Sequence, residues 1–343
     1  MASGRITVVG AGIFGLSVAW ALARRGAVVR VVEVARIGAG ASGGLVGAMA
    51  PHVPQLWNAK KAFQFDSLLL AGAWWAGVSA AAGLASGYGR TGRLQALADA
   101  AAVEQARVRE GLAADLWRGA ARWRVVRAKG SAWEPVSASG WLIEDDLCAR
   151  IQPRMALAAL VGAVRAKGGV VEEGVQWEAD TGVVVWATGV AGLAALGQGR
   201  GEKGQALTVR FDAGDAPQMF AEGVHIVPHV DGTVAIGSTT ERDWLLAAAT
   251  DARLDALHRK AVAICPALAG APVVERWAGL RPRSATRAPV LGAWPGRDGH
   301  FVANGGFKIG FGMAPKIAEV MADLVLEGRD AIPDGFRLPP LAQ

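Results

Sequence analysis

Three glycines near the amino terminus have the spacing of a dinucleotide-binding turn. Gly10, Gly12 and Gly15 follow a β-branched run and precede an apolar segment of small residues. In such a turn the first glycine permits the tight bend, the second lets the backbone approach a pyrophosphate, and the third allows close helix–strand packing. The N–H groups and dipole of that helix attract the phosphate charge. Glu33 ends the next apolar run, where its carboxylate can accept hydrogen bonds from both hydroxyls of a ribose.

A second glycine-rich segment, residues 36–51, follows Glu33 and helps to distinguish between two dinucleotides. Its small residues include Gly38, Gly40, Ser42, Gly43, Gly44 and Gly47. Such a density of small residues lets the backbone approach a ligand closely and disfavours a stable helix or strand. An extended FAD needs a second loop beside its phosphates, whereas a nicotinamide cofactor has no evident need of one. The segment therefore favours FAD over NAD, with a flexible surface loop as the alternative.

The turn can bind a phosphate only between a strand and a helix, and the flanking residues predict both. Residues 5–9 and 28–33 are typical of buried parallel strands, and residues 13–25 form an apolar helix that ends before Gly26. The uncharged run 6–23 also resembles a signal peptide or a membrane span. Its glycines and the lack of a preceding cationic region favour a buried strand–turn–helix, so no transmembrane segment is expected.

The rest of the chain alternates between helical periodicity and short apolar runs. Further predicted helices cover residues 58–82, 99–122, 153–167, 251–265 and 315–327. Further predicted strands cover residues 169–175, 183–187, 207–211, 225–230 and 233–238, with a hairpin turn at 231–232. This pattern predicts an α/β protein with a Rossmann-like cofactor domain and a second, α+β domain built on an antiparallel sheet.

Composition narrows the class of protein and its partners. Of the 343 residues, 52% are hydrophobic and 19% are charged, which is typical of a globular protein long enough for two domains. The net charge of +6 comes from scattered side chains rather than a basic cluster, so no nucleic-acid partner is expected. Cys148 and Cys265 lack the spacing of a zinc site or a disulfide framework. We therefore expect no metal site and a cytoplasmic location.

Four motifs follow one another in a characteristic order along nearly the whole chain. They are GAGIFG with Glu33, GAGASGGLVGAMAP from Gly38, WATG at 186–189, and WAGLRPRSATRAPVLG at 277–292 followed by NGGFKIGFGMAP. On these motifs the chain resembles the D-amino acid oxidase family of flavoproteins, and most closely its glycine oxidase and sarcosine oxidase branch. The resemblance implies an FAD-binding domain of the glutathione-reductase type and a separate substrate-binding domain. The FAD-binding domain would comprise residues 1–80, 140–204 and 276–343, and the substrate-binding domain residues 81–139 and 205–275.

The resemblance also implies which residues contact FAD. At the first glycine turn and helix start these are Gly10, Gly12, Ile13, Phe14 and Gly15, with Glu33 on the ribose. In the second glycine-rich segment they are Ala41 and Ser42 at the pyrophosphate, and Gly47, Ala48 and Met49 beside the flavin. Val175 would contact adenine through its backbone, and Ala187, Thr188 and Gly189 would line the channel. Lys308, Ile309, Gly310, Phe311 and Gly312, with the N-terminus of the last helix, would face the pyrimidine end of the flavin.

Three residues are implied on the substrate side. Relatives hold the substrate carboxylate with the arginine that matches Arg281, and a guanidinium suits that group geometrically. The alternative is a structural arginine paired with Glu275. Lys308 stands where glycine oxidases have a second arginine, and it would bind a different acid, touch the flavin carbonyl or face solvent. His225 stands where a tyrosine is common, and it either contacts the substrate or is a strand histidine without a role.

Other residues are expected to stay outside the chemistry. His52 would shape a loop between two prolines rather than act as a base. Neither cysteine matches a flavin-attachment position, and the SGG at residues 42–44 lacks the histidine that some relatives link to the flavin. The sequence therefore predicts dissociable, non-covalent FAD.

The implied reaction transfers a hydride from the Cα–H of a neutral amine or amino acid to flavin N5, and the resulting imine then hydrolyses. Oxygen or a quinone-type carrier would reoxidise the flavin. The alternatives are a flavoprotein that acts on a modified tRNA base or another larger amine, and an NAD-dependent reductase. Glycine, sarcosine, a D-amino acid, proline and a larger N-substituted amino acid all stay open as substrates, and the sequence does not indicate the oligomeric state.

Overall fold

The computed structural model describes residues 4–177 and 182–338. Its strands are β1 (Ile6–Val9), β2 (Val29–Glu33), β3 (Ala48–Met49), β4 (Arg93–Ala96), β5 (Trp123–Arg127), β6 (Trp141–Asp145), β7 (Ala149–Arg150), β8 (Val170–Glu173), β9 (Val183–Trp186), β10 (Gly199–Arg210), β11 (Gln218–Ala221), β12 (Val224–Pro228), β13 (Thr233–Gly237), β14 (Val273–Ser284), β15 (Val290–Ala293) and β16 (His300–Asn304). Its α-helices are α1 (Ile13–Arg24), α2 (Ala59–Ala82), α3 (Ala100–Leu116), α4 (Pro153–Ala166), α5 (Gly189–Ala195), α6 (Ala252–Ile264) and α7 (Gly310–Glu327). Short 3₁₀ helices cover Ala41–Gly43, Pro266–Leu268 and Asp334–Phe336.

The amino-terminal strand lies near the middle of a six-stranded sheet with the order β15–β16–β9–β1–β2–β8. The strands from β16 to β8 are parallel, and only β15 is antiparallel to its neighbour. Helix α1 connects β1 to the parallel strand β2, which is the predicted βαβ unit. Buried apolar side chains of α1, α4 and α7 form one core with this sheet, including Val8, Leu16, Leu160 and Ile317.

A second sheet has eight strands in the order β14–β10–β13–β12–β11–β4–β6–β5. Every neighbouring pair is antiparallel except β4 with β11. Strand β14 lies at the edge of this sheet and pairs with β10 along one side. An edge strand tolerates a proline such as Pro282, because the N–H that proline lacks is not needed on the unpaired side. The two sheets confirm the predicted α/β class with a second, largely antiparallel sheet.

Several element boundaries differ from the prediction. Strand β10 begins at Gly199, although its first residues are glycine-rich and charged, because β14 pairs with it along its length. The domain boundary predicted at residue 140 assigns β6 to the cofactor domain, yet β6 pairs within the eight-stranded sheet. Residues 178–181 and both chain ends of the predicted cofactor domain lie outside the described residues. The domain division therefore stays a prediction.

Three properties of the described residues bear on the expected partners. None of the helices in residues 4–177 and 182–338 is long and apolar enough to cross a bilayer. Both cysteines are buried and unpaired. The same residues contain no group of three or more histidine, cysteine or acidic side chains that could hold a metal ion.

Candidate cofactor and substrate site

A cavity of about 750 Å³ lies at the carboxyl ends of β1, β2, β9 and β16 and reaches side chains of β10, β12 and β14. Ligands of open α/β sheets bind at this edge, because the strand ends and the following turns are free to contact them. The volume is within the range of roughly 300–1,000 Å³ that is typical of ligand pockets. The cavity therefore joins the dinucleotide-binding turn to the second sheet.

The turn at the start of α1 requires glycine at two positions. Gly10 has a φ of +105°, and a Cβ there would lie 2.5 Å from the carbonyl oxygen of Ala187. A Cβ at Gly15 would lie 1.9 Å from the carbonyl oxygen of Gly10. Both distances are well below van der Waals contact, so only glycine lets α1 start this close to β1 and β9.

Polar groups from two other segments fix the N-terminus of α1. The Ile13 N–H donates to Ser42 Oγ at 2.9 Å, so the second glycine-rich segment caps the helix across the cavity. The Ala11 N–H donates to Glu33 Oε2 at 2.8 Å. Because an ionised carboxylate has about four acceptor positions, Glu33 keeps acceptors for the hydroxyls of a ribose.

Most of the residues expected to contact FAD line this cavity. They are Gly10, Gly12, Ile13, Phe14, Glu33, Ala41, Ser42, Gly47, Ala48, Val175, Ala187, Thr188, Gly189, Lys308, Gly310 and Phe311. The Val175 N–H already donates to the Glu33 carbonyl at 3.0 Å, so a backbone contact with adenine would come from the Val175 carbonyl.

Four of the expected residues do not line the cavity: Gly15, Met49, Ile309 and Gly312. Gly15 acts from behind the turn through packing. Met49 is 1% exposed and belongs to the apolar core, against which Ile309 also packs. A Cβ at Gly312 would meet Leu68 of α2 at 3.4 Å. These residues support the wall of the cavity, and the family motif alone does not show which side of the backbone each residue occupies.

Helix α7 begins at Gly310 rather than at Pro315, where proline's preference for the first helical turn placed the predicted start. Residues 310–314 have weak or mixed helix propensity, but several are buried against α1 and α2, and tertiary packing overrides the propensity. Gly310 and Phe311, which line the cavity, are thus in the first turn of a helix. The unpaired N–H groups and the dipole of such a turn favour negative charge in front of it.

Arg281 lies on β14 at the end of the cavity distant from Glu33, with 8% of its surface exposed. Its Nη1 donates to Ser238 Oγ at 2.7 Å, and its Nη2 donates to the carbonyl oxygens of Lys203 at 3.1 Å and Thr239 at 2.6 Å. Its buried Nε has no hydrogen-bond partner among the residues that the structure describes. All of these acceptors are neutral, so they orient the guanidinium without compensating its charge.

The alternative partner of Arg281 is occupied elsewhere. Glu275 accepts hydrogen bonds from Arg154 Nη1 at 2.9 Å and Nη2 at 2.7 Å. Within the described residues, no carboxylate lies within ion-pair distance of Arg281. Burial lowers the pKa of Arg281, and Glu202 and Glu241 partly oppose that change from a greater distance. The proposed structural pairing with Glu275 is therefore absent.

Lys308 lines the cavity together with Arg281. Its Nζ donates to Thr240 Oγ1 at 2.7 Å and lies 5.4 Å from the centroid of the Phe307 ring. Burial lowers the pKa of Lys308, and the nearby charge of Arg281 lowers it further. Lys308 thus adds a second positive charge to the part of the cavity that Arg281 lines.

Two histidines were considered in the sequence, His225 for a substrate contact and His52 for shaping a loop. His225 lines the cavity, and burial, followed by the charges of Arg93 and Lys308, lowers its pKa to about 3. Its imidazole is therefore neutral near pH 7, and its buried Nδ1 has no partner within the described part of the chain. His52 does not line the cavity; its backbone N–H and its Nδ1 both contact the Gln64 side chain.

Several cavity residues were not predicted from the sequence. Ser238, Ala247 and Ala248 come from the connection between β13 and α6, and this connection carries no motif. Trp177 lines the cavity near Val175, where no spacing identifies it. Trp277, by contrast, begins the WAGLRP motif identified in the sequence, and it lines the cavity. A Cβ at Gly279 would lie 2.5 Å from the Trp277 ring, so that glycine makes room for the indole.

A family comparison agrees with this geometry. The model of the FAD dependent oxidoreductase family, DAO, matches residues 5–324. The chain belongs to this family. It is therefore an FAD-dependent oxidoreductase, and the predicted family and enzyme class are confirmed.

Individual proteins are also similar to this chain in sequence or in structure. A glycine oxidase of Pseudomonas aeruginosa is 36% identical over 133 residues, which span 38% of this chain and 36% of the relative's own length. A putative thiamine biosynthesis oxidoreductase, ThiO, of Rhizobium etli is 30% identical over 94% of this chain and 96% of its own length. The crystal structure of glycine oxidase from Geobacillus kaustophilus superposes with a TM-score of 0.82, at 22% identity, over 98% of this chain and 99% of that chain.

The cavity fits the cofactor of the family. The turn at Gly10 and Gly12, the N-terminus of α1 and the Glu33 carboxylate are complementary to a pyrophosphate and a ribose. Neither cysteine lines the cavity, which agrees with a non-covalently bound FAD.

Proposed function

We propose that this oxidoreductase acts on a small α-amino acid, primary or N-substituted, whose carboxylate binds Arg281. The observation that supports this most directly is a buried guanidinium at the cavity wall, with an unpaired Nε and without a carboxylate partner among the described residues. A buried charge without a counter-ion is unfavourable, so an anionic ligand group is favoured there. The glycine oxidases named above support a small amino acid as substrate.

The residues of the site would orient the substrate rather than transfer its protons. Arg281, fixed by Ser238 and two backbone carbonyls, would fix the carboxylate and thereby the direction of the Cα–H bond. Bound FAD would supply an electron sink that accepts the hydride at N5. The neutral imidazole of His225 could accept a hydrogen bond from the substrate amine.

The positive charges of Arg281 and Lys308 would also affect the substrate amine. Like charges disfavour an ammonium ion, so the pKa of the amine would fall and its neutral form would be favoured. The neutral amine is the form that loses hydride, which yields an imine. Water then converts the imine into an oxo acid and ammonia or an amine. Oxygen or a quinone-type carrier would take the electrons from the reduced cofactor.

The test is anaerobic flavin reduction across a panel of amino acids and simple amines. The Arg281→Ala holoenzyme should bind amino acids about 100-fold more weakly, because a buried charged partner of the carboxylate is lost. Simple amines of the same size should lose less than about threefold, since they do not need the guanidinium. The Arg281→Lys variant keeps the charge and should restore part of the affinity.

The matched control is Arg276→Ala, on the same strand. Arg276 is exposed and pairs with Asp255 at 2.5 Å away from the cavity, so its loss should leave both classes of substrate unaffected. Equal losses for amino acids and simple amines in the Arg281→Ala variant would contradict the proposed carboxylate site.

A further inference from the structure

Two cations that line the cavity, Arg281 and Lys308, lie near the same aromatic ring. The Cζ atom of Arg281 lies 5.8 Å and Nζ of Lys308 lies 5.4 Å from the centroid of the Phe307 ring. The Phe307 N–H donates to the carbonyl oxygen of Pro282 at 3.2 Å, next to Arg281 on β14. Its φ of 43° is a left-handed conformation that a bulky residue keeps only where its surroundings hold it. The Phe307 ring is therefore held close to both charges.

Three of the four acceptors of these two cations come from consecutive residues, and the fourth is the carbonyl oxygen of Lys203. Ser238 Oγ and the Thr239 carbonyl accept hydrogen bonds from Arg281, and Thr240 Oγ1 accepts one from Lys308. Because Cζ of Arg281 lies 5.8 Å and Nζ of Lys308 lies 5.4 Å from the same ring centroid, the two cations are no farther apart than the sum of these distances. Two carboxylates of one small molecule can reach both groups.

The two charges lack counter-ions at the cavity. Within residues 4–177 and 182–338, neither Arg281 nor Lys308 forms an ion pair with a carboxylate, and the acceptors named above are neutral. The nearest acidic groups that influence them are Glu202 and Glu241. Both carboxylates have side chains that are 5% exposed, and neither lines the cavity.

These acidic groups already have cationic partners of their own. Glu202 lies 3.5 Å from Arg283. Glu241 lies 2.7 Å from Arg253 and 3.7 Å from Lys203. Asp251 lies 3.8 Å from Arg253 and 4.0 Å from Lys203, so this cluster has three acidic and three basic side chains and no net charge. Arg281 and Lys308, which line the cavity, keep their positive charges without a carboxylate partner among the described residues.

We propose that the substrate is an amino acid with two carboxylates, one bound by Arg281 and the other by Lys308. This inference rests on the proposed amino acid oxidation and adds the class of side chain or N-substituent. The oxidised bond is still Cα–N: the Cα hydrogen would leave as a hydride to the bound cofactor, one amine proton would leave to solvent, and water would add to the resulting imine. The second carboxylate is not consumed; it adds affinity and excludes substrates without it.

The first experiment compares matched ligands on the holoenzyme. Anaerobic flavin reduction is measured with glycine against iminodiacetate, and with each enantiomer of alanine against that of aspartate. We expect at least one dicarboxylate to bind about tenfold or more tightly than its monocarboxylate counterpart, as a second charge pair in a partly buried site allows. If monocarboxylates reduce the flavin as efficiently as all dicarboxylates, this inference is wrong while the proposed function stands. If no amino acid of either kind reduces the flavin, the proposed function fails.

The second experiment assigns the preference to Lys308. The Lys308→Met holoenzyme should lose about tenfold in affinity for the preferred dicarboxylate and less than about threefold for its monocarboxylate counterpart, whereas Lys308→Arg should keep the preference. Binding of the unreactive anions malonate and succinate, against acetate and butyrate, is followed by the flavin difference spectrum and gives a readout independent of turnover.

The control is Lys260→Met. Lys260 pairs with Glu222 at 3.0 Å on the surface, so its loss should change none of these affinities. Equal weakening of monocarboxylates and dicarboxylates by Lys308→Met would overturn the inference, because it would assign Lys308 to the flavin or to the common carboxylate.

Discussion

The imidazole of His225 shows how strongly burial controls the chemistry of a single residue. Its pKa falls from 6.5 to about 3, chiefly because burial disfavours the charged form and then because Arg93 and Lys308 are near. The residue type alone suggests a group that titrates near neutral pH. Its surroundings make it a neutral hydrogen-bonding group instead, so a substrate contact through His225 would not change between pH 5 and pH 9.

The lowered pKa of His225 makes the folding stability of the protein depend on pH. Between about pH 6.5 and pH 3 the unfolded chain binds a proton at His225 that the folded chain does not, so folding stability falls as the pH falls. The full difference corresponds to at most about 5 kcal/mol. The free energy of unfolding of wild-type protein, measured with urea at pH 7 and pH 4.5, should therefore decrease more than that of His225→Gln.

The less buried His258 provides the control. Burial also lowers the pKa of His258, but its environment is more exposed, so His258→Gln should retain most of the wild-type pH dependence. An identical pH dependence for wild type and His225→Gln would show that His225 is not held neutral.

Among the elements, helix α1 depends on close approach more than on helix propensity. Its interior is buried along nearly its whole length, and its first turn lies against the backbone at Gly10 and Ala187. A glycine inside a helix normally destabilises it relative to alanine. At Gly15 this preference is reversed by packing, because the Cβ of any other residue would overlap the Gly10 carbonyl oxygen.

A pair of glycine substitutions tests that argument. Gly15→Ala should lower the free energy of unfolding by about 2 kcal/mol or more and weaken FAD binding, because the turn must move to accept the methyl group. Gly77→Ala places the same substitution in α2, where a Cβ would meet nothing within 4 Å, and should stabilise the protein by about 0.5–1 kcal/mol. Thermal unfolding and flavin retention on a desalting column measure both effects. An unchanged flavin content in Gly15→Ala would contradict the proposed role of the turn.

The cavity lies between the two sheets, which also share one apolar core that includes Val8 of the six-stranded sheet and Trp123 and Ile143 of the eight-stranded sheet. The exposed ion pair between Arg154 of α4 and Glu275 of β14 spans them at the surface, where such pairs contribute roughly 0–1 kcal/mol. A ligand that contacts both the α1 turn and β14 would contribute more, because it binds only the folded chain.

The stability of the protein should therefore depend on FAD. At a free FAD concentration about 100 times the dissociation constant, the folded state should gain about 2.7 kcal/mol, and the Tm should rise with FAD concentration. Thermal unfolding of flavin-free protein with added FAD, and with NAD at the same concentrations as the control, measures this effect. A Tm that responds equally to both nucleotides, or to neither, would contradict a specific FAD site.

The residues of the dinucleotide-binding turn and the family of the protein could be predicted from local sequence motifs alone. The glycine spacing at Gly10, Gly12 and Gly15, the acid at Glu33 and the motif containing Arg281 are local in the chain, and the backbone conformations that they impose are local as well. The family and the α/β fold followed from these motifs, and most of the residues predicted to contact FAD line the cavity. The same local signals failed for the start of α7, because packing against α1 and α2 outweighs the helix propensity of a glycine-rich turn.

The part of the cavity around Arg281 and Lys308 could be described only from the three-dimensional structure, which shows the partners and the charge environment of both side chains. The partners of Arg281 are a hydroxyl and carbonyl oxygens from β10 and from the connection after β13, and carbonyl groups have no signature in a sequence. Lys308 and Arg281 belong to separate parts of the chain and come close to each other only in the folded protein, near the ring of Phe307. Burial and electrostatic interactions depend on distances in space, so the chain order alone could name these residues but could not give the charge that a substrate meets.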